Sequence, residues 1–173
     1  MSKKQLDAAQ GVEAACILFR LNSGQKALLR LAGEAGLPVT LLSLAEQTAL
    51  HQEWLAFVHA VVTAGLMQHA PNSVLVAYLR ETGHLLREAV QSTAAAPLTQ
   101  QEFVDGPFAV QMALLGQGRQ SECPALFCQR LQDIPQLREA AQDKRVEARL
   151  AALMALVISA IWDKLESYDI LSD

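Results

Sequence analysis

Cys123 and Cys128 form a Cys-x4-Cys pair, the first spacing in this 173-residue chain that suggests chemistry. A structural zinc site would need a second pair of ligands at matching spacing. The only other cysteine is Cys16, so no such site is expected. A thiol sensor would need a depressed pKa, and Arg119 and Arg130 are the only cations close in sequence. Two reduced thiols, one of them buried, is the simpler reading, with Cys16 in the core. The histidines are His51, His59, His69 and His84. Eight residues separate His51 from His59, about 12 Å along a helix and too far to share one metal ion. His69 and His84 flank a segment that reads as a hairpin, and all four are expected in ordinary surface or helix positions. Glu102 and Asp105 have the spacing of a solvated face. Asp143 and Glu147 interleave with Lys144, Arg145 and Arg149, the pattern of exposed ion pairs. Gly116-Gln117-Gly118 lacks the Lys-Ser/Thr of a phosphate loop, and no Gly-x-Ser-x-Gly elbow occurs. These residues predict no catalytic site, no metal and no cofactor.

Composition narrows the classes. Hydrophobic residues make up 51%, aromatic residues 5% and charged residues 18%, with Ala, Leu, Gln and Val prominent. That is enough apolar material for a core, and it favours helices over a sandwich or barrel. The net charge of −4, from 14 Lys+Arg against 18 Asp+Glu, excludes a surface that is basic all over. Lys3 and Lys4 precede no apolar run, because Gln5, Asp7, Gln10 and Glu13 intervene. The longest apolar run, Leu150 to Trp162 with Ser159 as its only break, is shorter than the ~20 residues of a membrane span. With an odd cysteine count, these features predict a cytoplasmic chain with no membrane partner.

The chain reads as a single domain, 1–173, punctuated by Pro38, Pro71, Pro97, Pro107, Pro124 and Pro135. A first helix is predicted over 4–20, with Val12, Ala15, Cys16 and Phe19 on one face. A second follows Asn22 or Ser23 and stops at Gly33 and Gly36. A third, short helix opens at Val39-Thr40 and runs through Gln47. A fourth spans about 51–64, with Trp54, Leu55, Val58, Val61 and Val62 at helical spacing, and Gly65 ends it. Residues 66–69 and 74–79 then read as two short strands around a Pro71-Asn72 turn. A helix over 84–91, a break at Ala94-Ala95-Ala96-Pro97, and a capping box at Thr99-Gln100-Gln101-Glu102 follow. Residues 108–115 read as helix and 116–124 as loop. The last long helix is predicted over 137–168, with a stripe of Val146, Leu150, Leu153, Val157, Ile161 and Leu165.

The order helix, helix, short helix, helix, hairpin, helix is that of a winged helix-turn-helix. Asn22 to Leu31, Leu37 to Glu46, Val61 to Met67 and Tyr78 to Leu86 resemble, in order, the segments of the multiple-antibiotic-resistance regulator (MarR) family. The resemblance covers residues 22–90 as a winged-helix core, with 1–21 and 92–173 as helical dimerisation and extension regions. It implies a mainly α fold with a small β-hairpin wing, a homodimer formed by the terminal helices, and a transcription regulator that binds DNA. The residues placed toward DNA are His51, Gln52, His59, Asn72 and Arg80. Those placed at the dimer interface are Leu150, Leu153, Val157, Ile161 and Leu165.

Charge points the other way. From Leu31 to Leu79 the chain has no lysine or arginine, and it carries Glu34, Glu46 and Glu53. Affinity for DNA comes largely from phosphate neutralisation. The alternative expectation is therefore a winged-helix protein-interaction module without DNA binding, an antirepressor or a subunit of a larger assembly.

Overall fold

A two-stranded parallel sheet clasps the two ends of the chain. In the computed structural model, which describes residues 2–91 and 98–173, Lys4–Leu6 (β1) pairs with Tyr168–Ile170 (β2). Leu6 lies opposite Ile170, and both side chains are buried. The remaining elements are helical: α1 (Ala8–Ser23), α2 (Gln25–Ala35), α3 (Leu44–His69), α4 (Asn72–Gln91), α5 (Gln100–Phe103), α6 (Ala109–Gly116), α7 (Cys123–Leu131), α8 (Arg138–Ala141) and α9 (Lys144–Glu166).

Local chemistry explains most of the boundaries. Asp7, Ser43 and Thr99 each accept from the backbone N–H three residues on, and Gln10, Glu46 and Glu102 bond back to the cap N–H. These three capping boxes start α1, α3 and α5. Gly36 ends α2 at φ 104°, a left-handed conformation that favours glycine. Pro107 has no N–H to donate, and it sits in a π-helical turn, Val104–Phe108, that joins α5 to α6.

The long helix α3 is the axis of the molecule. Every residue from Trp54 to Leu66 is buried. A helix apolar on all sides must be enclosed on all sides, and α1, α4, α6, α7 and α9 pack around this one. α1 runs antiparallel to it. The last carbonyls of a helix have no partner within it. Here α3 supplies two: Trp54 Nε1 donates to the Asn22 carbonyl at 2.7 Å, and His51 Nε2 bonds the Ser23 carbonyl at 2.7 Å. α9 crosses at Gly65, where a Cβ would stand 2.7 Å from Leu165 Cδ1 and 2.9 Å from Trp162 Cδ1. At this crossing Trp162 Nε1 donates to the Val61 carbonyl at 2.9 Å.

α7 is tied to α3 by a bidentate ion pair. Arg130 Nε and Nη2 donate to the two Glu53 carboxylate oxygens at 2.7 and 3.0 Å, with the side chains 28% and 14% exposed. Arg130→Met leaves the Glu53 carboxylate half-enclosed without its partner. It is expected to lower stability by about 1–2 kcal/mol. Urea unfolding should show a lower midpoint at unchanged slope; an unchanged midpoint would place the pair in effectively solvated surroundings.

The mainly α class agrees with the sequence reading, and several finer expectations do not. From Leu44 on, the two helices predicted over 40–47 and 51–64 are one, α3, while Val39–Leu41 is a separate 3-10 turn; Gly65 lies within α3. Residues 66–69 finish α3, and 74–79 belong to α4, so the segment expected to form a β-hairpin wing is helical. Val74, Tyr78, Thr82 and Leu86 recur every four residues and are all buried. That face packs on the bundle, which outweighs the strand preference of Val74, Val76 and Tyr78. Residues 137–168 resolve into α8, α9 and β2. The break expected at 94–97 lies outside the described residues.

Candidate functional site

Three of the five side chains expected to face DNA point into the protein. His59 is 3% exposed and Gln52 8%; His51 is half-buried on the Ser23 carbonyl. The reason is the enclosure of α3: the helix read as a recognition helix has no free face along these residues. Asn72 and Arg80 are exposed on α4.

His59 anchors a buried polar group. Its Nδ1 shares a 3.0 Å hydrogen bond with the Tyr78 hydroxyl. Its ring lies 4.7 Å from that of Phe108 and 5.7 Å, edge-on, from that of Phe19. Burial pushes the imidazole down to about 4, so it is neutral at pH 7. Burial also raises the Tyr78 phenol well above its ordinary range. Thr63 and Thr82 donate back to the carbonyls of His59 and Tyr78, both at a distance of four residues. Gln52 Nε2 and both amide atoms of the fully buried Gln111 have no hydrogen-bond partner among the described residues. The group lies where α3 packs against α1, α4 and α6.

The thiols are equally enclosed. Cys16, Cys123 and Cys128 are free and buried. Desolvation raises all three, Cys123 and Cys128 to about 11, the opposite of what a sensor thiol needs. We therefore expect no reaction of the folded protein with a thiol reagent at pH 7 and three thiols titrated in denaturant. Rapid labelling of one native thiol would contradict the burial. No group of three metal-ligating side chains occurs among the described residues. His84 bonds the Arg87 guanidinium at 2.7 Å on the exposed side of α4.

The stripe expected to form a dimer interface serves the chain's own core instead. Leu150, Ile161 and Leu165 are buried, and Leu153 and Val157 are half-buried against the core. The cause is the contact of this face with α3 and α7. The opposite face of α9 exposes Ala148, Ala152, Ala155, Leu156, Ser159 and Ala160, with Leu156 67% exposed, between ends that carry the exposed Arg145, Arg149, Asp163 and Glu166; the six central residues are apolar or small. Beside this face runs a groove of about 430 Å³ between α9 and the start of α7, lined by Pro124, Ala151, Ala155, Ile158, Trp162 and Gln120, among others. The signal was in the sequence. A stripe through 150, 153, 157 and 161 leaves 148, 152 and 155 on the far side, and those residues are small and apolar as well.

No helix among the described residues is long and apolar enough to cross a membrane. No family model, no curated protein and no solved structure matches the chain.

Proposed function

We propose that this chain is a protein-interaction module, a rigid helical bundle that binds through the outer face of α9, and that its role is binding rather than catalysis. The observation that carries this reading is the uncharged run from Ala151 to Trp162 together with its exposure. A solvent-facing helix surface is ordinarily charged. Here five exposed or half-exposed small residues and Leu156 occupy that position, next to an apolar groove. Contiguous exposed apolar surface of this kind marks interaction sites. Burial of Gln52 and His59, with His51 half-buried, supports the same reading, since a base-reading helix needs such side chains outside. A homodimer is among the assemblies this function includes.

Two measurements test the reading. Fluorescence anisotropy with mixed DNA fragments at low and moderate salt should show no salt-sensitive binding. Tight binding with a steep salt slope would instead support a DNA-binding regulator, MarR-like in function, that works through Arg80 and other exposed cations. Immobilised protein should retain partners that the Leu156→Glu variant loses. Equal retention by both would sink α9 as the docking face.

A further inference from the structure

We propose that a second copy of this chain docks on α9, the two helices running antiparallel about Leu156. The inference rests on α9 being a docking face and names its occupant. Two observations carry it, and the first is charge order. The outer face of α9 is basic at one end, with Arg145 and Arg149, apolar through Ala148, Ala152, Leu156 and Ala160, and acidic at the other end, with Asp163 and Glu166. All of these residues are exposed. Leu156 lies beside the midpoint of the 23-residue helix. Turning one copy about a two-fold axis at this point sets Arg149 opposite Asp163, Ala152 opposite Ala160 and Arg145 near Glu166. The patch is complementary to itself, as a two-fold interface requires. The small residues leave room for Leu156 and let the backbones come close.

The second observation is electrostatic misfit within one copy. Helix dipoles favour anions at the N-terminus and cations at the C-terminus. Asp143, Glu147 and Lys164 fit this rule, but Arg145 also stands in the first turn of α9, and Asp163 and Glu166 stand in the last. Arg145, Arg149, Asp163 and Glu166 form no ion pair among the described residues. Arg145, Asp163 and Glu166 are misplaced or unpaired in a single copy, whereas the Arg149 guanidinium lies beside Gly36 at the C-terminal end of α2; all four meet an opposite charge in the antiparallel pair. Lys144, by contrast, is paired within the copy, at 3.2 Å to Glu147.

The helix is about 35 Å long. One such face is small for a specific interface, and dissociation on the order of 10 µM is expected.

Sedimentation velocity and light scattering across the micromolar range test the proposal, with circular dichroism of every variant to confirm that it folds. The wild type should approach twice 18.8 kDa as concentration rises. Leu156→Glu acts twice in a two-fold interface and should weaken association by about a hundredfold or more. R145E/R149E should be monomeric, because its interface brings four acidic residues together at each end. D163R/E166R should be monomeric for the converse reason. An equimolar mixture of these two should dimerise again, since each altered end then meets its complement. A monomeric wild type at every concentration, a dimer indifferent to L156E, or a mixture that stays monomeric would each overturn antiparallel self-docking. A monomeric wild type whose other partners are lost in L156E would keep α9 as a docking face for a different protein. Loss of neither association nor partners in L156E would remove the docking face as well.

Discussion

Trp54→Ala is expected to lower the free energy of unfolding by about 3–5 kcal/mol, a large part of the ~5–15 kcal/mol typical of a domain. Trp54 is 3% exposed at the centre of the aromatic packing. Its ring lies 5.3 Å from Phe57 and 6.0 Å from Phe127, so it joins α3 to α7 as well as filling space. Truncation leaves a cavity among side chains that have no freedom to collapse, because α3 is enclosed on every side. It also removes the 2.7 Å hydrogen bond to the Asn22 carbonyl, one of the last acceptors of α1. Denaturant unfolding followed by circular dichroism measures the loss. Trp54→Phe, which keeps a ring and loses the N–H, should cost less than half as much. A loss below 1 kcal/mol for the alanine variant would mean that α3 is not the packed axis described above.

His59 makes the fold sensitive to acid. Its imidazole titrates at about 4 in the folded protein against 6.5 in its unperturbed state, and desolvation is the cause. The unfolded chain therefore binds the extra proton first. Stability is full above about pH 6.5 and is lost as pH falls toward 4, by about 3 kcal/mol from this group. His51, also lowered by burial, acts in the same direction. His59→Gln keeps a polar atom for Tyr78 and removes the titration. The difference in unfolding free energy between wild type and variant, measured from pH 7 to pH 4, should shrink or reverse by that amount. Parallel pH profiles for the two proteins would show that His59 is solvated in the fold.

The helical class was legible in the sequence because it depends on composition and on short-range rules. Asp7, Ser43 and Thr99 cap their helices with the residue three positions on, and the sequence reading above includes only the Thr99 box. Gly36 stops α2 as expected. Gly65 was read as a stop for the same chemical reason, yet it lies inside α3, where α9 crosses too closely for a Cβ. No local rule separates these two uses of glycine, since one concerns φ and the other a neighbour about a hundred residues away. The segment from Val74 to Leu79 was ambiguous in the same sense. Its residue types favour a strand, and its four-residue period favours a helix. Packing against α1 and α3 decided for the helix.

The candidate sites divide along the same line. That α9 is apolar on more than one side follows from its sequence. Which side turns inward does not, because it depends on where α3 and α7 lie. The stripe through Leu150, Ile161 and Leu165 went to the chain's own core, and the smaller face through Ala152, Leu156 and Ala160 was left outside. His51, Gln52 and His59 likewise have residue types suited to reading bases, and the enclosure of α3 buries Gln52 and His59 and half-buries His51. Sequence by itself determined the mainly helical class, the Thr99 capping box and the absence of lysine and arginine between Arg30 and Arg80. Only the tertiary structure decided which apolar face is core and which is surface, because burial belongs to the assembly of helices and not to any one of them.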